Sequence, residues 1–269
     1  MTPEDKKPLR LAAVGDNCMD VYGATGEAFP GGNPVNVAVY TRRLGGAASY
    51  TGVVGNDAHG RRMRAAIAAK GVDVSHLHTA PGATAITHVT MENGDRVLGD
   101  YEEGVMAHFR LTEDDIDFLA GHDLVVSGLW GMIEKDLPKL KARGVPLAFD
   151  FADKLTHPVI DAALPYVDYA FFSRDGGSPE EWRAFLEAMQ ARGPKVAVVT
   201  LGAQGSMAYD GARHYTQGIL DCDVVDTMGA GDSYIAGFLY GAMRGRDIPA
   251  CMLEGTRSSS VTLQYPGAW

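Results

Sequence analysis

Short runs of apolar residues recur along this chain with room for a helix between them. This alternation restricts the fold more than any other feature. Residues 9–14 form such a run ending at Gly15, and residues 49–54, 124–127, 145–149, 169–172 and 196–200 repeat it. Runs this short, bounded by turn residues, read as inner strands rather than buried helices. Between them lie helical patterns. Asn33-Pro34 opens the segment 35–44, where proline suits a first helical turn. Asp57 can cap the next helix and Gly71 can close it. Thr112-Glu113-Asp114-Asp115 starts an amphipathic helix, and residues 134–143 and 179–192 supply two more. Such βα alternation predicts an α/β fold, a mostly parallel sheet covered by helices on both faces.

Residues 84–92 break the rhythm. Apolar and polar residues roughly alternate there, Asn93-Gly94 follows, and residues 97–101 would return as a second strand. That dipeptide favours a type I′ turn, so a small β-element is expected inside the α/β chain. The length of 269 residues suits one large domain, or a domain with a small appendage. No repeat, low-complexity linker or second independent domain is visible.

Composition narrows the function. The net charge is −10 and no dense Lys/Arg run occurs, so a nucleic-acid partner lacks electrostatic support. Phosphate ligands are still allowed, because backbone N–H groups at a helix start bind them without net positive charge. Cys18, Cys222 and Cys251 are widely spaced and form no CxxC pair, which suggests free thiols in a reducing cytoplasm. Residues 1–10 carry charge and no apolar core of a signal peptide, and no apolar stretch reaches membrane-spanning length. The eight histidines show no HExxH or other tight ligand spacing and read as surface or packing residues.

The chemistry concentrates in Asp226-Thr227-Met228-Gly229-Ala230-Gly231-Asp232. Residues 224–226 read as a strand end and residues 233–243 as a helix. Gly229, Ala230 and Gly231 therefore fall where a loop becomes a helix N-terminus. There the first N–H groups have no intrahelical partner, and small residues let an anion approach them. Asp232 would repel a phosphate unless it has another task. One such task is to accept a proton from a hydroxyl that attacks phosphorus. The plainer alternative is that it caps the helix, and local chemistry weighs the two about evenly. No GxxxxGK[ST] and no GxGxxG after the first strand are present. Thr200, Gly202 and Gly205 follow a strong strand and can bring backbone to a nucleotide, although a plain turn is the commoner explanation of such a run. Near the N-terminus, Asp16, Asn17 and Asp20 lie at the carboxyl end of the first strand, where open α/β sheets bind ligands. Gly32, Asn33 and Asn36 add a tight turn and two amides at the next helix start.

Two signatures now carry a resemblance. One is Gly31-Gly32-Asn33-Pro34-Val35-Asn36-Val37-Ala38, followed by Leu44-Gly45 and Gly55-Asn56-Asp57-Ala58-His59-Gly60. The other is Asp226-Thr227-Met228-Gly229-Ala230-Gly231-Asp232-Ser233, followed by Gly237-Phe238. In order and separation they resemble the ribokinase/PfkB carbohydrate kinases over essentially the whole chain. The resemblance implies a three-layer α/β/α core with a small β-lid from about 17–32 and 84–104, all in one kinase domain. It implies transfer of the γ-phosphoryl group of Mg-ATP to a sugar hydroxyl, with Asp232 as base and Gly229-Ala230-Gly231 as anion hole. Asp20, Gly32, Asn33 and Asn36 match sugar-contacting positions, and Thr200, Gly202 and Gly205 the nucleotide side. Asp226 and Thr227 match the neighbourhood of a site for a monovalent cation such as K+. It also implies a homodimer through the lid.

Within that family three runs are similar to the fructoselysine 6-kinases: residues 15–22, residues 95–106 and the ending Gln264-Tyr265-Pro266-Gly267-Ala268-Trp269. This similarity implies a fructosamine substrate phosphorylated on its 6-hydroxyl. In that case Arg96, with Asp100, Glu102 and Glu103, is placed to read the amino-acid end, and a solvated lid edge is the bland alternative. Competing functions are a kinase for fructose, ribose or a nucleoside, and a catalytically silent sugar-binding relative. The chain departs from the family at Ser173-Arg174-Asp175-Gly176, where many members carry Asn-x-x-Glu. Magnesium ligands are therefore left unassigned, with Asp175 a substitute at a different spacing.

Overall fold

The computed structural model describes residues 9–23, 25–92 and 95–269, with only the backbone described at 91–92 and 95–98. In chain order its elements are β1 (Arg10–Val14), β2 (Cys18–Tyr22), β3 (Ala28–Gly31), α1 (Asn33–Arg43), β4 (Ala47–Gly55), α2 (Ala58–Ala69), β5 (Leu77–Ala80), β6 (Ile86–Glu92), β7 (Asp95–Glu102), α3 (Glu113–Ala120), β8 (Leu124–Gly128), α4 (Leu137–Ala142), β9 (Leu147–Asp150), α5 (Val159–Ala163), β10 (Tyr169–Ser173), α6 (Pro179–Gln190), β11 (Val196–Thr200), β12 (Ser206–Tyr209), β13 (His214–Gln217), α7 (Ala230–Met243) and α8 (Ile248–Thr262).

Among the described residues, nine strands form one sheet in the order β13-β12-β11-β10-β9-β8-β1-β4-β5. The pairs from β11 to β5 are parallel, and β12 alone is reversed, pairing antiparallel with both β11 and β13. Side chains of a strand alternate between faces. Here both faces are dry. Leu11 and Ala13 join one apolar cluster with α1, α2, α7 and α8, while Ala12 and Val14 join a second with α3, α4, α5 and α6. β8, β10 and β11 divide their residues the same way. Burial on both faces is why these strands read as unbroken apolar runs rather than alternating ones.

A second sheet runs β3-β2-β6-β7. β2 pairs antiparallel with β3 and parallel with β6, and β6 pairs antiparallel with β7. The hairpin expected from residues 84–101 is thus present as β6 and β7; its Asn93-Gly94 turn lies outside the described residues, as does the side chain of Arg96. No helix among the described residues is long and apolar enough to cross a membrane.

The helix starts follow their capping chemistry. The Asp57 side chain accepts the Gly60 N–H, and Gly71 follows α2 at φ 79°. Thr112 and Asp115 form a reciprocal capping box, as do Ser178 and Glu181. Two expectations fail. Residues 224–226 are no strand: Val224 and Val225 are exposed, and the Val225 N–H bonds the Leu263 carbonyl after α8 rather than a neighbouring strand. Without a ladder partner, β-branched residues alone do not make a strand. The helix expected over 134–143 shortens to α4, because Met132, at φ 58°, and the turn after it carry the chain to Asp136.

Candidate functional site

The carboxyl edge of the large sheet gathers three aspartates. Asp16 follows β1, Asp150 ends β9, and Asp232 stands in the first turn of α7. α7 is held against the sheet by Phe238, fully buried and edge-on to Phe171 of β10 at 5.4 Å. Its first turn is pinned by α8. Ser259 Oγ donates to the Ala230 carbonyl at 2.6 Å, and Ser233 Oγ meets Ser258 Oγ at 2.7 Å and Thr262 Oγ1 at 2.8 Å. The chain enters the helix through Gly229 at φ 72°, a left-handed conformation natural to glycine; a β-carbon there would also strike the Tyr40 hydroxyl.

Asp232 does not cap its own helix; Gly229 holds that position. Its carboxylate instead faces α1. Asn36 Nδ2 donates to Oδ2 at 2.6 Å, and Asn33 Nδ2 donates to Oδ1 at 2.6 Å. Asn33 Nδ2 donates a second bond to Asp150 Oδ2 at 2.8 Å, so one amide bridges two carboxylates. Both asparagines point inward because α1 begins at Asn33, directly after Gly32. At φ 115°, Gly32 passes so close to Asp16 and Asn17 that a β-carbon would lie 2.8 Å from Asn17 Cα. Gly32 is therefore a requirement of close backbone approach.

The electrostatics follow from burial. Desolvation raises the pKa of Asp232 above the usual carboxylate value, and the Asn36 and Asn33 amides oppose the rise by favouring the ionised form. Asp150 is pushed up to about 7 by burial, then by the charge of Asp232. Asp16 also rises to about 7, chiefly by burial, against donation from the backbone N–H groups of Asp16 and Asn33. Asp16 Oδ1 and Asn33 Oδ1 are buried and have no hydrogen-bond partner among the described residues. Two unsatisfied acceptors beside a raised carboxylate fit a ligand that brings hydroxyl donors. Backbone strain marks the same edge: Ala152 follows Asp150 at φ 51°, as Met132 follows β8 at φ 58°, both outside the usual range for residues with a β-carbon.

Across the start of α7 lies a cleft of about 640 Å³. It is lined by Thr200, Gly202 and Gly205 after β11, by Thr227, Ala230 and Gly231, and by exposed Ile219, Leu220 and Val224. Among the described residues no acceptor meets the Gly231 or Asp232 backbone N–H, whereas the Ala230 N–H is taken by the Thr227 carbonyl at 3.2 Å. Free N–H groups at a helix start facing a cleft make an anion site.

The residues singled out in the sequence divide accordingly. Asp16, Gly32, Asn33, Asn36 and Asp232 converge, and Thr200, Gly202, Gly205, Thr227, Ala230 and Gly231 share the neighbouring cleft. Asp20 is placed on β2, its carboxylate beside Gly31 and accepting the Cys18 thiol at 3.5 Å. Asp226 does not line the cleft; it accepts the Met228 N–H at 3.0 Å and the Gly267 N–H at 2.7 Å. Two participants were not foreseen. Asp150 sits one residue past a run that reads as a strand, at the edge where ligands bind, and that position was its signal. Trp269 carries no local signal: its indole Nε1–H donates to Asn36 Oδ1 at 2.6 Å, leaving the Asn36 amide nitrogen to face Asp232. The Tyr40 hydroxyl and the Ala268 carbonyl hold the same tail against α1.

Comparison with known proteins agrees with this layout. The sequence profile described as pfkB family carbohydrate kinase matches residues 9–269. The chain is 46% identical over 262 residues to "Fructoselysine 6-kinase" of Shigella flexneri, covering 96% of this chain and 99% of that protein. It is 36% identical over 265 residues to "Fructosamine kinase FrlD" of Bacillus subtilis (strain 168), covering 97% and 93%. Among solved structures, Arabidopsis thaliana ribokinase complexed with ribose and ATP superposes with a TM-score of 0.88 at 21% identity, over 97% of this chain and 94% of that one, a likeness of fold. A ribokinase-like sheet flanked by helices, the profile match along nearly its whole length and these relatives together place this chain in the pfkB family of ATP-dependent carbohydrate kinases.

Proposed function

We propose that this kinase phosphorylates the 6-hydroxyl of a fructosamine such as fructoselysine. The observation that carries the reading is Asp232, clamped by Asn33 and Asn36 at the start of α7, between a hydroxyl-seeking cluster and an anion-binding cleft. Similarity to fructoselysine and fructosamine kinases supports the substrate class.

In this reading the sugar lies against Asp16, Asn33, Asn36 and Asp150, where unpaired acceptors wait for hydroxyl donors. Asp232 takes the proton of the attacking hydroxyl. Its raised pKa makes it a better proton acceptor than an ordinary aspartate, while the two amides keep it ionised and aimed. The Gly231 and Asp232 N–H groups receive charge that develops on the transferred group. ATP occupies the adjoining cleft, its base against Ile219, Leu220 and Val224. Magnesium prefers carboxylate oxygen. Asp175 borders this cleft, and a β-carbon on Gly202 would lie 2.7 Å from its Oδ1, so it fits as the residue that would hold the ion. Magnesium there would neutralise phosphate charge. Asp226, committed to two backbone N–H groups, anchors the loop and the tail; the potassium dependence of the rate tests any cation role.

The second sheet acts as a lid in a single kinase domain. Phe29 and Tyr101 are exposed on it, which supports a homodimer formed by paired lids, measurable by light scattering. The function itself is tested by ADP release on fructoselysine, other fructosyl-amino acids, fructose, ribose and adenosine. Fructosamines should turn over fastest. Preference for a plain sugar or nucleoside would refute the substrate, and turnover on none would indicate a silent binding relative.

A further inference from the structure

His76 and His78 read in the sequence as surface or packing residues, yet the fold brings both to one carboxylate. They lie just before and within β5, an edge strand of the large sheet. Residues two apart in an extended segment share a face, and this face meets the first turn of α3. His76 Nδ1 and His78 Nε2 each stand 2.8 Å from the same atom, Asp115 Oδ1. The three ligand atoms all lie within 4.8 Å of one another.

The carboxylate is fixed before any ligand arrives. Its side chain has no solvent exposure, and its other oxygen, Oδ2, accepts the Thr112 N–H at 2.9 Å and the Thr112 hydroxyl at 2.7 Å. That capping bond leaves Oδ1 turned to the two rings, the orienting role that outer partners play around bound metals. The His76 ring is fixed too, stacked on Phe118 at 3.8 Å between centroids. His78 is 45% exposed, which provides a path of entry and a direction for a water ligand.

We propose that His76, His78 and Asp115 form a site for a divalent transition-metal ion of the zinc class, fastening the edge strand β5 to α3 apart from the phosphoryl-transfer site. Two imidazoles and one carboxylate suit zinc and its neighbours, and disfavour magnesium and calcium, which seek oxygen. Each ring already presents to the shared oxygen the nitrogen that would bind; a proton held there passes to the ring's other nitrogen or to water as the ion takes its place. Tetrahedral ligands about 2.0–2.1 Å from zinc are about 3.3 Å apart, so each ring nitrogen retreats about half an ångström from a stationary carboxylate while the two, now within 4.8 Å of each other, close to the same spacing. Edge strands gain from being tied down.

The test uses the full chain, stripped with chelator and free of nucleotide, titrated with Zn²⁺ alone by calorimetry. One Zn²⁺ per chain is expected. His78→Ala, at an exposed position, should weaken binding by roughly tenfold or more. Zn²⁺ should raise the melting temperature of the wild type and not of this variant. His76→Gln removes a ligand while keeping a hydrogen-bonding side chain, and should lose binding as well. Excess Mg²⁺ should not compete, and His78→Ala should keep wild-type kinase turnover. No Zn²⁺ bound by the wild type, or equal binding by the wild type and either variant, would overturn the site.

Discussion

The two sides of the α7 N-terminus are built on different principles. On the side proposed for the sugar, directional bonds specify the geometry: two asparagines hold Asp232, one of them also holds Asp150, and Trp269 orients the other. On the side proposed for the nucleotide, shape dominates, through bare glycine backbone and the apolar residues Ile219, Leu220 and Val224 on a loop. In the proposed reading the first side discriminates by leaving buried polar groups unpaired when the wrong ligand binds, a costly penalty. The second offers apolar contact, worth less per group and tolerant of substitution.

Substitutions should separate the two sides. Asp232→Asn should lower kcat by roughly 10²–10⁴-fold, with ATP binding, followed by calorimetry, nearly unchanged. Asn36→Ala removes a bond to a charged group, worth about 1.5–3 kcal/mol. It should cost roughly 10–100-fold in kcat/KM for the sugar and little in KM for ATP; equal effects on both substrates would erase the distinction. Trp269→Phe removes only the indole N–H and should produce a milder version of the same pattern. Val224→Asp puts charge into the apolar wall. It should raise KM for ATP roughly fivefold, the scale of about 1 kcal/mol, and spare KM for the sugar.

The smallest effect concerns stability. Asp16 holds its proton up to about pH 7 in the folded chain, against 3.8 for an ordinary aspartate. The folded state thus binds more protons than the unfolded state between these values. The stabilisation from protonation is complete below about pH 4 and is lost as pH rises through 7. Asp16→Asn imitates the protonated form at every pH. The variant should melt a few degrees above the wild type at pH 8 and level with it near pH 4, while losing sugar affinity. A gain that is larger at pH 4 than at pH 8 would contradict the raised pKa.

The same contrast explains what could be read from the sequence. β1, β8, β9, β10 and β11 stand out because they are buried on both faces. β5, β12 and β13 are four residues long at the sheet margins and give little pattern. β2 and β3 give no strand pattern of their own, because Asp20 and the glycines interrupt it around Met19 and Val21, and only the resemblance implies a β-lid there. Asn33, Asn36 and Asp232 were legible as candidates because their spacing from helix starts is local. Their mutual bonds, and the return of Trp269 to Asn36, join positions about two hundred residues apart and have no local signature. The loop before α7 reads as a strand, since Val224 and Val225, exposed in the fold, look like one when their setting is unknown.

The most direct test is the position of the phosphate in the product. The wild type with ATP and fructoselysine, followed by phosphorus–proton correlation NMR, should give the 6-phosphate, and Asp232→Asn under the same conditions should give almost none. Phosphate on another hydroxyl, or wild-type yields of product from Asp232→Asn, would contradict the account.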